Sequence, residues 1–192
     1  IGCWLGSSLV ATGFRMKRQL ILGFSIVWPV LLGGCGPTTE EKVQKLFQSA
    51  NGWSATGEYD LAIKDYSEAI RLQPGYAAAW NGRGDAYYFK SDYDQAIKDY
   101  SEAIRLKPGY AAAWYNRGAS YYDQAKFNQA ARDNSEAIRL KPKHYDAWNN
   151  RGTAFKQLAI EARSRDDFLE AKEFEARARA DLLKAKALKP GD

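Results

Sequence analysis

Very little in this chain of 192 residues is equipped for chemistry on small molecules. It has two cysteines, Cys3 and Cys35, and a single histidine, His144. That set excludes a disulfide framework, and no two of these residues lie at metal-ligand spacing. No Gly-rich phosphate loop occurs, and no nucleophile, base and orienting group can be assembled, so the sequence predicts no enzyme and no cofactor. The net charge of +5 is also less than it looks. Residues 1–34 carry Arg15, Lys17 and Arg18 and no acid, leaving 25 basic against 23 acidic residues beyond them. A segment so near neutrality gives little long-range steering toward nucleic acid, and none is expected as a partner. Disorder is excluded in turn, because 45% of the residues are hydrophobic and only 27% charged.

Long apolar runs are scarce as well. Leu20–Leu32 is uncharged, but its 13 residues fall short of the roughly 20 that span a bilayer as a helix. Met16-Lys17-Arg18 stands before it, and Leu32-Gly33-Gly34-Cys35 follows. Basic start, short apolar core and small residues in that order describe a secretory signal. Together with Cys35 they resemble the lipobox of bacterial lipoproteins. The resemblance implies cleavage before Cys35, a diacylglyceryl thioether on its sulfur and a bacterial envelope location, with Gly36 resembling the pattern for outer-membrane delivery facing the periplasm. An uncleaved signal anchor is the alternative, although Pro29 and the Gly-rich run 33–37 argue against one continuous helix. Ile1–Arg15 reads as upstream sequence before a better start at Met16, residues 16–34 as signal peptide, and 35–42 as lipidated Cys and tether.

What the chain does have is a period. AIKDYSEAIRL occurs at Ala62–Leu72 and Ala96–Leu106, GYAAAW at Gly75–Trp80 and Gly109–Trp114, and Pro74, Pro108 and Pro142 are each 34 apart. Placing each proline at position 32 starts units at Val43, Ala77, Ala111 and Tyr145 (43–76, 77–110, 111–144 and 145–192). Position 4 is then Leu46, Trp80, Trp114 and Trp148, and position 8 is Ala50, Gly84, Gly118 and Gly152. Positions 20 and 27 are alanine in the first three units, and Tyr66 and Tyr100 occupy position 24. This pattern resembles the tetratricopeptide repeat. The resemblance implies an all-α, right-handed solenoid of four helix hairpins. Small residues at 8, 20 and 27 would let helices approach, while aromatics at 4, 11 and 24 fill the gaps between pairs.

The fourth unit departs from the period by 14 residues. Gly152 to Phe168 spans 16 residues instead of 9, and Phe168 to Pro190 spans 22 instead of 15. Seven extra residues are close to two helical turns, so each helix lengthens without rotating its buried face. The sequence therefore predicts a long terminal hairpin, roughly Asp146–Arg163 and Asp167–Leu188. Its charged outer face (Glu161, Arg163, Lys172, Glu173, Arg177) would cap the array or dock a partner. Arg83, Arg117 and Arg151 at position 7 are expected to pair between units with the Asp and Glu of the second helices.

In tetratricopeptide-repeat proteins the first helix of each pair lines a concave groove through positions 2, 5, 6, 9, 12 and 13. Carried onto this chain, the resemblance implies a groove of Gln44, Phe47, Gln48 and Asn51 in unit one, Asn81, Asp85, Tyr88 and Phe89 in unit two and Tyr115, Asn116 and Tyr122 in unit three. Unit four adds Asn149, Asn150, Thr153 and Lys156. Asn116 and Asn150, one repeat apart, could pair with a peptide backbone, and the aromatics could cover side chains. The implied partner is an extended or helical segment of another protein. Repeat domains that grip the C-terminal carboxylates of heat-shock chaperones need Lys, Asn, Asn, Lys and Arg where this chain has Asn81, Asp85, Asn116, Asp146 and Asn150, so that clamp is not expected. A scaffold or oligomerisation module with nothing in the groove is the competing expectation. The sequence fixes no oligomeric state.

Overall fold

A computed structural model describes Gly36 and residues 38–189. Cys35, the signal segment and the terminal Pro190 lie outside the described residues. Eight helices follow one another: α1 (Thr39–Thr56), α2 (Tyr59–Leu72), α3 (Ala77–Phe89), α4 (Tyr93–Leu106), α5 (Ala111–Asp123), α6 (Phe127–Leu140), α7 (Tyr145–Ser164) and α8 (Phe168–Leu188). No strand occurs among the described residues. Each helix packs on its successor, forming four hairpins in a row.

Helix α1 begins inside the segment read as tether. Thr38 accepts from the Glu41 amide at 3.2 Å, and the Thr38 amide donates to Glu41 Oε2 at 2.9 Å. That reciprocal capping box satisfies two otherwise orphaned donors and starts the helix at Thr39, four residues ahead of the repeat boundary.

Within a hairpin, turn geometry is uniform although turn sequence is not. One or two residues past each first helix the chain takes a left-handed conformation: Gly57, Ser91, Ala125 and Asp166 have φ of 88°, 61°, 56° and 61°. In each case the next amide reaches back five residues and the left-handed residue's own amide three, closing a Schellman motif. Only the first unit uses the glycine that this conformation favours. Between hairpins, the second helix ends two residues before Pro74, Pro108 and Pro142, and the indole N–H of Trp80, Trp114 and Trp148 donates to that proline's carbonyl at 2.9 Å. The tryptophans are half-buried: their rings pack against the apolar clusters between units, as aromatic spacing suggested, while the indole N–H finds its polar partner on the turn.

The small positions are small for a steric reason. A Cβ on Gly84 would lie 2.7 Å from the ring of Tyr100, and one on Gly118 would lie 2.7 Å from Asn134 Nδ2. Ala50, Ala62, Ala69, Ala96, Ala103, Ala130 and Ala137 are fully buried. Helix axes can therefore close to near contact, and the large residue at position 24 lies over the vacant spot.

Helices α7 and α8 have 20 and 21 residues against 13 and 14 in the preceding two units. Both gain seven, so the extra length is added in register. At the end of the array, position 28 changes from the buried Ile70, Ile104 and Ile138 to the exposed Lys186. Among the described helices only α7 packs on α8, and this charged side chain lies exposed. The outer face is less purely charged than expected, with Phe168, Leu169 and Leu183 exposed beside the Arg163–Glu175 and Arg177–Glu173 pairs.

Ion pairing follows a different rule from the one expected. Arg83 donates to both oxygens of Asp99 (2.7 and 2.8 Å), and Arg117 does the same to Asp133 (2.7 and 3.0 Å). Both pairs join the two helices of one unit. The contacts of these arginines across units are neutral: Arg83, Arg117 and Arg151 each reach the serine hydroxyl of the preceding unit, Ser67, Ser101 and Ser135, at 3.0 Å, and units one and two are joined by the Lys90–Asp60 ion pair instead. The glutamates Glu68, Glu102 and Glu136 pair instead with arginines three residues on, within their own helices. A glutamate one turn from an arginine meets it without ordering another element, so the local pair wins.

Candidate functional site

Curvature places the candidate site. Helices α1, α3 and α5 each touch the next odd-numbered helix, whereas no two even-numbered helices touch among the described residues. A row whose members meet across units occupies the shorter, inner arc. The first helix of every hairpin thus faces inward, and the groove positions lie on that row.

Two groove residues and a tyrosine of a second helix come together around one carboxylate. Asp85 Oδ1 accepts from the Tyr100 hydroxyl at 2.7 Å and from Asn116 Nδ2 at 2.8 Å, and Oδ2 accepts from Asn81 Nδ2 at 3.1 Å. Asn116 Nδ2 also lies 3.3 Å from Asn81 Oδ1. All the donors are neutral. Burial, only partly offset by the Tyr100 and Asn81 hydrogen bonds, pushes the Asp85 carboxyl up to about 6. The same burial, reinforced by Asp85, pushes the Tyr100 hydroxyl up. Asn116 is therefore a tie between units two and three, its amide nitrogen shared between Asp85 and Asn81.

Beside this cluster is a cavity of about 280 Å³ lined by Asp85, Tyr88, Phe89, Tyr100, Tyr115, Asn116 and Ala119. Its existence depends on Ala119, which stands where unit two has Asp85 and unit one Asn51. Tyr88 is positioned by its hydroxyl, which donates to Asp123 Oδ2 at 2.7 Å. Burial and Asp123 raise the Tyr88 hydroxyl well above its ordinary value. Phe89, at 62% exposure, forms the rim and stacks on Tyr59 with centroids 5.4 Å apart. Tyr115 lies against His144 at 4.9 Å, and burial followed by Asp146 raises its hydroxyl.

The other predicted residues sit apart from this centre. Asn150 partly offsets the raising of the Tyr115 hydroxyl, and Tyr122 packs edge-on against Phe127 at 5.3 Å. Asn149 and Asn150 are half-buried on α7, and Lys156 is exposed two turns further along. The groove positions left out Tyr100, which belongs to a second helix and reaches the site through its hydroxyl. Its signal was present: position 24 is tyrosine where position 9 can accept, since Tyr66 likewise donates to Asn51 at 2.5 Å. Among the described residues no group of three His, Cys, Asp or Glu could hold a metal ion. No described helix is long and apolar enough to cross a membrane.

Helix hairpins stacked at a 34-residue period, with the first helices inside, are the all-α tetratricopeptide-repeat fold. The repeats themselves are recognised in the sequence: residues 55–91 and 84–125 match the family described as TPR repeat, and residues 111–144 match Tetratricopeptide repeat. None of the curated proteins matches the chain. Among solved structures, it is similar to the first TPR of Spaghetti (RPAP3) bound to HSP90 peptide SRMEEVD. The TM-score is 0.62 at 25% identity, over 66% of this chain and 99% of that one. The second TPR domain of human RPAP3, in complex with HSP70 peptide SGPTIEEVD, gives 0.59 at 26% identity over 61% and 98%. MamA, at 22% identity and a TM-score of 0.61 over 76% and 81%, shares the fold.

Proposed function

We propose that this chain is an interaction module that takes a segment of another protein against its inner helix row while a lipid on Cys35 holds it in the bacterial cell envelope. The observation that carries the binding half is the aromatic cavity of about 280 Å³ on the concave side, opening beside Phe89. Two of the similar structures hold short peptides, which supports a peptide here too. Their peptides end in Glu-Glu-Val-Asp, and this chain lacks the cations that such an acidic end requires, so its partner differs. The anchoring half rests on the lipobox resemblance at Leu32–Cys35; outer-membrane attachment facing the periplasm fits Gly36.

A photo-reactive residue at position 89 tests the groove. It should capture partner protein from intact cells, while the same residue at Leu61, exposed on α2, should not. Equal capture from both positions would sink the groove. Labelling with a fatty-acid analogue tests the anchor, which fails if Cys35→Ser still labels and stays on the membrane. A scaffold with an empty groove is the second reading, favoured by one fact: the amide nitrogens of Asn81 and Asn116 already bind Asp85. On that reading position 89 captures nothing.

A further inference from the structure

The groove has a charge bias that points to the chemistry of its ligand. Across positions 2, 5, 6, 9, 12 and 13 of the four units, the acids are Asp85, Asp123 and Asp146 and the only base is Lys156. Among the described residues no Lys or Arg pairs with Asp85, whose three hydrogen bonds all come from neutral donors. Its charge is therefore shielded but not neutralised, and it lines a cavity otherwise walled by the rings of Tyr88, Phe89, Tyr100 and Tyr115. A carboxylate beneath aromatic faces suits a cation, which gains from the anion and the ring quadrupoles together.

We propose that this cavity receives a lysine side chain of the partner segment, its ammonium on Asp85 and its methylenes on Tyr88, Phe89 and Tyr115. The proposal rests on the groove reading above and names the residue the groove selects. A volume of about 280 Å³, near the small end of ligand pockets, is enough for one long side chain. Geometry favours ammonium over guanidinium. Oδ1 already accepts two hydrogen bonds and Oδ2 one, so the carboxylate offers a single-point contact and not the two parallel acceptors that an arginine fork needs. This polarity is the reverse of that expected from the acidic peptides in the similar structures.

The probe is n-butylammonium chloride, titrated into the isotopically labelled protein at constant ionic strength and followed by amide NMR shifts. Saturable shifts are expected at Asp85, Tyr88 and Asn116, with n-butanol and butyrate producing none at equal concentration. Phe89→Ala, at an exposed rim position, should weaken binding about tenfold without unfolding the protein. Asp85→Asn, if folded by its amide spectrum, should abolish it. Butanol shifting the same amides as strongly, or butylammonium binding undiminished in both variants, overturns the proposal; so does the absence of any shift. Capture from position 89 that persists when butylammonium fails to bind would sink the lysine site while leaving the groove intact.

Discussion

Arg151 donates to both oxygens of Asp181 at 2.7 Å, across 30 residues of chain, in the same contact that Arg83 and Asp99 make across 16. The 14 additional residues lie wholly between them, seven in each helix, and the clasp at the base of the hairpin is unchanged. Arg151 also lies over the ring of Trp148 at 4.8 Å, as Arg83 does over Trp80.

Asp181 is 4% exposed, so truncating it strands a mostly buried guanidinium. Asp181→Ala should cost about 3 kcal/mol in urea unfolding. The double variant Arg151→Met, Asp181→Leu should recover most of that loss, since two apolar groups leave no charge uncompensated. A double variant as unstable as the single one would show that Arg151 contributes through its Ser135 contact instead.

Trp114 clasps the turn through its indole N–H on the Pro108 carbonyl. Trp114→Phe keeps an aromatic body for Arg117 to cover but removes the donor, and should lower stability by about 1 kcal/mol. Equal stability by chemical denaturation would mean that the carbonyl is satisfied by water without loss.

Ala125 pays for a left-handed backbone that only the turn demands. Ala125→Gly should raise stability by about 0.5 kcal/mol after the entropy that glycine loses on folding. Gly57→Ala should cost about 1 kcal/mol, although nothing lies within 4 Å of the added Cβ. Thermal unfolding of both variants checks the opposite signs.

Asp85 should make stability depend on pH in the reverse of the usual carboxylate sense. Its folded-state value of about 6 exceeds the unfolded value near 4, so the folded protein binds the extra proton. Its contribution to stability therefore grows as pH falls from about 6 toward 4. The groups around it are the hydroxyls of Tyr66, Tyr100 and Tyr110 and the amides of Asn81 and Asn116, none of them cationic. His144 acts in the opposite direction. Its imidazole is depressed by burial and caps α7 through Nδ1, so protonation costs stability. The two separate in the stability of the wild type minus that of Asp85→Asn, which should rise by about 1–2 kcal/mol from pH 7 to pH 4.5. A pH-independent difference would refute the assignment.

The period, the hairpin count and the seven-residue extension of each terminal helix are all legible in the sequence, because buried helical faces must repeat at fixed spacing. Gly84 and Gly118 announce close approach for the same reason. The partner of Arg83 is not legible: Asp99 and Asp65 recur equally well, and the choice depends on which helix lies beside α3. Nor does spacing show that Asn116 faces Asp85 across a unit boundary, or that Ala119 leaves a cavity. The left-handed turns at Ser91 and Ala125 carry no glycine to mark them.

Sequence alone determined that helices form, where they stop and which sides they bury, since periodicity, proline and side-chain size act within a few residues of the chain. Tertiary structure alone decided which polar groups neutralise one another and which carboxylate is left with aromatic walls and no cation. Electrostatics and cavities depend on distances between residues that the chain brings together only after α3, α4 and α5 have packed.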